Sequence, residues 1–345
     1  MNRSTSLDLV HTKVKAVGLL SGGLDSTLAA KLMLEQGIQV YAINFTSPFC
    51  TCTPKTARCT AAVTAVKELG DIPLKRVGLG DEYLAIVRNP KHGYGSGMNP
   101  CIDCRIFKIQ KAREYMSEID ASFLFTGEVL GQRPMSQHRA ALNIIDRESG
   151  LEGLILRPLS AKLLTPSIPE KEGWVAREGL LEIRNRSRKP QMALAAEYGI
   201  LDYPCPAGGC LLTDPGFARR MKDLMTYSEI SLNNAELLKV GRHFRLTPQA
   251  KLVVGRNKAE NEKLIGLARR QDIRFDPVEL KGPVGLGRGH FNQDDIQKSV
   301  SLLARYCDED MGSSVKIANR KLPDGRENIL ASLPMEDDEI EKVRV

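Results

Sequence analysis

The sequence predicts an α/β protein, a parallel sheet with helices on both faces, followed by a smaller α+β C-terminal domain. Three observations carry this. Short apolar runs alternate with helically spaced ones from Val14 to Glu128. Glycines stand where strands turn into helices and where helices stop. After Asp214 the pattern changes to a short helix, two strands and another helix.

VKAVGLL (14–20) is a short apolar run and reads as a buried strand. In the helix that follows, Leu24, Leu28, Leu32 and Met33 have helical spacing, with Gly37 as its stop. IQVYAINF (38–45) is a second strand, TARCTAAVTAVKELG (56–70) a second helix and LKRVGLG (74–80) a third strand. CRIFKIQKAREYMSEI (104–119) is an amphipathic helix, and ASFLFTGE (121–128) another strand. The binding crevice of such a sheet lies at the carboxyl ends of its strands. SGGLDS, the segment after Phe45, and TGEVLGQ all fall there. LRPLSAKLLTPSIPE (156–170) has three prolines and reads as a connection. PQMALAAEYG is a helix with Pro190 near its start. FARRMKDLMTY is a helix, KVGRHFRLTPQAKLVVGRN two strands, KAENEKLIGLARR a helix, and the terminal MEDDEIEKVRV a charged, solvated tail.

The expected domains are 1–165, the parallel-sheet domain; 166–215, a basic and cysteine-bearing connection; and 216–345, the α+β C-terminal domain. The 345 residues fit roughly two domains. With 42% hydrophobic and 26% charged residues, global disorder is excluded. No run of 18 apolar residues exists, so no membrane helix is expected, and the N-terminus lacks a signal-peptide apolar region. A cytoplasmic location follows as the expectation. The net charge of +7 suits an anionic partner such as nucleotide or RNA. Eight cysteines, at 50, 52, 59, 101, 104, 205, 210 and 307, are clustered as metal or redox centres are.

Ser21-Gly22-Gly23-Leu24-Asp25-Ser26 joins a buried strand to a helix. Its glycines allow a tight turn with N–H groups free for phosphate oxygens, and the helix N-terminus favours an anion. Ser21 and Ser26 add hydroxyls. Asp25 would repel phosphate unless a cation bridges them, which points to Mg²⁺. No GxxxxGK[ST] is present, so this is a different loop from the usual nucleotide P-loop.

SGGLDS resembles the SGGxDS loop of the adenine-nucleotide α-hydrolase superfamily. The resemblance implies cleavage of ATP to AMP and pyrophosphate with adenylation of a substrate oxygen. It implies pyrophosphate on Gly18 to Ser26, including Ser21, Gly22, Gly23 and Asp25, and adenine near Asn44 and Phe45. Thr126-Gly127-Glu128-Val129-Leu130-Gly131-Gln132 resembles the TGExLGQ segment of tRNA 4-thiouridine synthetases, and the likeness extends to Ser136-Gln137 with one extra residue. It implies nucleotide contacts from Gly127, Gln137 and Lys108, the last one helical turn after Cys104.

Asn99-Pro100-Cys101-Ile102-Asp103-Cys104 resembles the NPxxxC segment of tRNA 2-thiouridylases, with Cys210 of PAGGC as their second cysteine. Cys101, Cys104 and Cys210 also resemble the CxxC…C set of cluster-dependent tRNA thiolases. Three cysteines can hold three irons of a [4Fe–4S] cluster and leave the fourth open for sulfide. The alternatives are a persulfide route with Cys104 and Cys210 exchanging sulfur, a structural Zn²⁺ site, and inert buried thiols. Cys50, Cys52 and Cys59 form a further group with no clean family match. Cys205 is an alternative ligand or a resolving thiol, and Cys307 reads as core.

Residues 171–189 hold Lys171, Arg177, Arg184, Arg186, Arg188 and Lys189, densest in IRNRSRKPQ. RNA phosphates or a solvated loop would explain them. Leu252 to Asn261 resembles the VGRNxxxN signature of an RNA-binding module of ribosome quality-control proteins. Arg256, Asn257 and Lys258 then face RNA, and His243 is structural or phosphate-facing. The 4-thiouridine synthetases carry an RNA-recruiting region before their loop. Here the loop starts at residue 21, and the C-terminal module is expected to take that role.

The expected function is ATP-dependent RNA sulfur transfer, foremost tRNA uridine thiolation, with Asp25, Cys104 and Cys210 in the chemistry. The expected cofactors are ATP and Mg²⁺, with a [4Fe–4S] cluster as a candidate. The expected partners are tRNA and a sulfur donor such as a cysteine desulfurase or free sulfide. A small-molecule acceptor and a non-catalytic nucleotide- and RNA-binding protein are the alternatives.

Overall fold

The computed structural model describes residues 14–50, 60–203, 210–308 and 312–345. Its first strand, β1 (Lys15–Leu19), sends Ala16 into one core and Val17 into another, as a pleated strand buried on both faces does. The chain continues through α1 (Leu24–Glu35), β2 (Gln39–Thr46), α2 (Ala61–Glu68), β3 (Leu74–Gly78), α3 (Asp81–Arg88) and α4 (Cys101–Glu118). It then forms β4 (Phe123–Thr126), α5 (Arg139–Glu148), β5 (Ile155–Leu156), α6 (Ile168–Lys171) and α7 (Lys189–Glu197).

The five strands pair in parallel in the order β3-β2-β1-β4-β5. One core packs Leu24, Leu28 and Leu32 of α1 against Val40, Ala42, Phe123 and Phe125. The other packs Ile106 and Ile109 of α4 and Ile145 of α5 against Val17, Ile43 and Leu124. Helices thus cover both faces, as expected. The chain leaves β1 for β2 on one side and pairs β1 with β4 on the other, so the strand order reverses at β1. Such a reversal opens a crevice at the strands' carboxyl ends, where residues 21–26 lie.

The structure departs from the expected elements at several points. α4 begins at Cys101 rather than Cys104, because Pro100 takes the N-cap. Both cysteines therefore share its first turn. The expected helix over 56–70 is described from Ala61, and its start lies outside the described residues. α3, α5 and β5 were not expected. Segment 156–170, read as a connection, opens on the end of β5 and closes on α6, whose Ser167 and Glu170 form a capping box.

By contacts the chain divides into two compact units, Met1–Gly95 with Asn99–Cys210, and Ser96–Met98 with Leu211–Val345. Val175, Leu180, Ala195 and Ile200, from the basic stretch and α7, lie in the first core. The second unit contains α8 (Pro215–Tyr227), α9 (Leu232–Leu237), β6 (Arg242–Arg245), β7 (Ala250–Val254), α10 (Lys258–Leu267) and β8 (Ile273–Pro277). It continues with β9 (Gly285–Gly289), α11 (Gln293–Ala304), β10 (Val315–Lys321), β11 (Asn328–Ser332) and α12 (Asp337–Val343). Its strands form one antiparallel sheet, β11-β10-β8-β9-β7-β6. Phe244, Leu252, Phe275 and Ile317 meet Val300 and Leu303 of α11 in its core. The terminal segment is not the expected solvated tail. Met335 and Ile340 are buried in this core, and Val345 N donates to the His243 carbonyl at 3.0 Å. Val343 packs beside them, and Arg305 pairs with Asp337. Among the described residues, no helix is long and apolar enough to cross a membrane.

Candidate functional site

The loop after β1 is built by its own small residues. Gly22 has φ +76°, and a Cβ there would stand 2.2 Å from the Ala61 carbonyl carbon, so only glycine fits. Ser26 Oγ donates to the Gly23 carbonyl at 2.9 Å and accepts from Ser21 N at 3.2 Å. Ser21 Oγ lies 3.1 Å from Ser26 Oγ. Gly23 is the N-cap of α1 and offers no side-chain cap, which leaves the helix's first N–H groups for an anion. Gly18 lies in β1 itself, upstream of this turn.

The segment after β4 lies directly on this loop. A Cβ on Gly127 would come within 2.5 Å of the Asp25 carbonyl carbon. Gln132 Nε2 donates to Asp25 Oδ2 at 3.2 Å, while Asp25 Oδ1 is buried without a partner. One carboxylate oxygen is thus anchored and the other left for a ligand. Gln132 stood inside the recognised motif but had no expected role. Gln137 is buried and its Oε1 likewise lacks a partner. The Asn44 amide donates to the Leu20 carbonyl at 2.8 Å, fixing β2 to the start of the loop. Phe45 packs on the second face of the sheet.

A buried ion network supports the same segment. Arg157 Nε binds Glu128 Oε2 at 3.0 Å and grips both Asp146 oxygens at 2.6 and 2.8 Å. Glu128 Oε1 pairs with Arg105 Nε, on α4, at 3.0 Å. Burial pushes the Glu128 carboxyl up, but Arg105 and Arg157 more than reverse this and hold it below its ordinary range. Glu128 is therefore a fixed anion that orients Arg105, the residue after Cys104.

The cysteines gather around Tyr83, which sequence reasoning missed. Its hydroxyl donates to Cys104 Sγ at 3.2 Å, and its ring stacks on Phe107 and tilts against Phe49. Burial keeps Tyr83 protonated, and neighbouring Cys104, Cys210 and Cys50 reinforce this. Cys50 forms an antiparallel β-bridge with Cys210, and Ser47 N donates to Cys50 Sγ at 3.2 Å. Cys101 is half-buried. Burial pushes its thiol up and Cys104 adds to that, while Arg133, Arg105 and Lys108 pull it down. Among the described residues no three Cys, His, Asp or Glu side chains form a group that could hold a metal. Cys52, Cys59 and Cys205 lie outside the described residues. Cys307 is in the second core, its thiol pushed up to about 11 first by burial.

Of the basic residues singled out, Arg184, Arg186 and Lys189 are exposed, whereas Arg188 is half-buried and its Nε is buried without a partner. In the second unit Arg256 pairs with Glu260, and Asn257 Oδ1 caps α10 by accepting from Glu260 N at 3.0 Å. Asn261 Oδ1 accepts from Val284 N at 3.1 Å. Both asparagines of the signature thus hold the turn, and Lys258 stands exposed beside it. His243 is buried and bonded through Nε2 to the Val240 carbonyl, and burial holds it neutral, as a structural residue. Asn257→Ala is expected to lower stability by about 1 kcal/mol, read by urea denaturation. Lys258→Ala should leave stability unchanged.

Residues 11–162 match the family model of the thiamine biosynthesis protein (ThiI), and residues 241–344 that of the NFACT protein RNA binding domain. A tRNA-specific 2-thiouridylase MnmA of Syntrophotalea carbinolica is 35% identical over 116 residues, 31% of this chain and 32% of the relative. A probable tRNA sulfurtransferase of Finegoldia magna is 34% identical over 144 residues, 41% of this chain and 35% of the relative. The chain thus spans about a third of the length of these curated relatives. A solved 4-thiouridine synthetase–RNA complex with bound ATP is similar with TM-score 0.37 and 20% identity, over 65% of this chain and 52% of that one. The U34-tRNA thiolase NcsA of Methanococcus maripaludis, solved with its [4Fe–4S] cluster, gives TM-score 0.32 and 20% identity, over 68% and 75%. The chain is thus similar to the ThiI family over residues 11–162 and to the NFACT RNA-binding domain over residues 241–344.

Proposed function

We propose that the protein is an ATP-dependent tRNA sulfurtransferase that adenylates a uridine carbonyl oxygen and replaces it with sulfur. The observation that carries the reading is the Asp25 carboxylate, one oxygen anchored by Gln132 and the other buried and unpartnered at the end of an uncapped helix. Such a site suits a polyphosphate with its cation. The two curated relatives, named as a tRNA thiouridylase and a probable tRNA sulfurtransferase, supply the substrate class.

Asp25 would hold Mg²⁺, which neutralises charge on the pyrophosphate leaving group. Backbone N–H groups of residues 22–26 receive the phosphates, and Gly127 lets the segment after β4 lie against the Asp25–Ser26 backbone beside them. Lys108 adds positive charge from the half-buried face of α4. Cys104, Cys50 and Cys210, the thiols around Tyr83, are the groups placed to carry sulfur. A persulfide on Cys210, loaded by an external persulfide donor, attacks the adenylated carbon, and AMP leaves with the former carbonyl oxygen. A second thiolate of the site then attacks Cys210 Sγ in the mixed disulfide. The thiolated base departs, and a protein disulfide remains for an external thiol to reduce. Exposed Arg184, Arg186 and Lys189, with the C-terminal domain, are the proposed RNA contacts.

The test is to incubate the protein with MgATP, a persulfide donor and unmodified tRNA, then digest the RNA and analyse its nucleosides. Thiouridine with AMP and pyrophosphate in equal amounts is expected. The description of the first family model, a thiamine biosynthesis protein, favours a second reading in which the acceptor is a small molecule. Sulfur transfer that proceeds without RNA would select it. No ATP cleavage under either condition would leave a binding protein.

A further inference from the structure

Gln191 is fully buried, yet neither its Oε1 nor its Nε2 has a hydrogen-bond partner. A buried amide in that state is costly and rare unless a ligand or water meets it. Three residues earlier in sequence, and on the same helical face, the buried Nε of Arg188 is also without a partner.

Their position in the first unit follows from three contacts. Ala195, one turn after Gln191, lies in the core shared with Leu24 and Leu28 of α1. Tyr198, at the end of α7, lies under Lys31 of α1, with Nζ 5.5 Å from the ring centre. The chain enters α7 from the other end of α1. Arg184 forms a parallel bridge with Leu130, and Asn185 N donates to the Leu130 carbonyl at 2.8 Å, two residues from the Gln132 that holds Asp25. The two helices therefore run in the same direction. Counting back two turns from Tyr198 and Lys31 sets Gln191 beside the first turn of α1, where Asp25 Oδ1 stands unpartnered.

We propose that the first turn of α7 is a further wall of the nucleotide site. Gln191 and Arg188 bind the polyphosphate and its hydrated cation. Arg188 Nε and Gln191 Nε2 donate to phosphate oxygens, and Gln191 Oε1 accepts from a cation-bound water. The inference rests on the ATP reading above and deepens it. It also moves Arg188 away from RNA, since Arg184, Arg186 and Lys189 are exposed and Arg188 is turned inward.

The test is calorimetric binding of MgATP and of AMP to the full chain. Gln191→Leu removes both unmet polar groups at similar volume. It is expected to keep or raise the melting temperature and to weaken MgATP roughly tenfold, with AMP nearly unchanged. Arg188→Gln should weaken MgATP similarly without changing tRNA affinity, whereas Arg184→Gln should weaken tRNA only. MgATP binding equal to wild type in folded Gln191→Leu overturns the proposal. So does an Arg188→Gln variant that loses tRNA affinity alone. A wild-type protein that binds no MgATP overturns instead the nucleotide reading beneath it.

Discussion

Cys210→Ala is expected to lower tRNA thiolation to at most about a thousandth of the wild-type rate, while MgATP affinity stays within about twofold. The bridge to Cys50 is a main-chain pairing. Alanine keeps that pairing and removes only Sγ. The nucleotide loop is built from other residues, around Gly22, Asp25 and Gly127. The same bridge sets Cys50 beside Cys210, so Cys50 joins Cys104 as a proposed second thiol of the step. Paired residues on antiparallel strands have Cα atoms about 4.5–5.5 Å apart, inside the range of about 4.4–6.8 Å that a disulfide spans. Mild oxidation should therefore link Cys50 to Cys210 in a peptide found by mass spectrometry. Thiolation at the wild-type rate in Cys210→Ala would remove the cysteine from the mechanism. Anaerobic protein with about four irons and absorption near 400 nm, lost in Cys101→Ala, would replace the thiol route by a cluster.

The sheet and its loop were legible because their signals are local. The unbroken apolar run of KAVGL follows from burial on both faces of the sheet, and the helical spacing from Leu24 to Met33 from burial of one helix face against it. The glycines of SGGLDS report a backbone constraint that the structure shows at Gly22. What stayed hidden depends on partners distant in sequence. Tyr83 acquires its role only when Cys104, Cys50 and Cys210 arrive from three other segments. Glu128 lies inside a recognised motif, but nothing near it announces Arg157. Gln191 looks like an ordinary helical glutamine until α7 is laid along α1. The VGRNxxxN segment carried a different lesson. Its spacing resembles an RNA-binding signature, and within it the asparagines hold the turn by capping α10 and bonding Val284.

Arg157→Met is expected to destabilise the protein by about 3–5 kcal/mol. The guanidinium is almost wholly buried and bonds Glu128 and both oxygens of Asp146. Methionine fills much of the volume but leaves Asp146 without its cation and Glu128 with Arg105 alone. An unpaired buried carboxylate, rather than a lost attraction, accounts for most of the cost. Two consequences separate this from a packing defect. Glu128 is held below its ordinary value of 4.5 when folded, so its ion-pair stabilisation is complete above that value and is lost as pH falls through the folded one. The gap between wild type and variant, measured by urea denaturation, should therefore be widest near neutrality and narrow in acid. The triple variant Arg157→Met, Glu128→Gln, Asp146→Asn removes all three charges and should recover much of the loss. A gap that stays constant with pH, and a triple variant no more stable than the single one, would show that Arg157 acts by packing. If the charges account for the loss, the triple variant should fold yet thiolate tRNA more slowly than wild type. Its Arg105 no longer has the fixed anion that holds it beside Cys104.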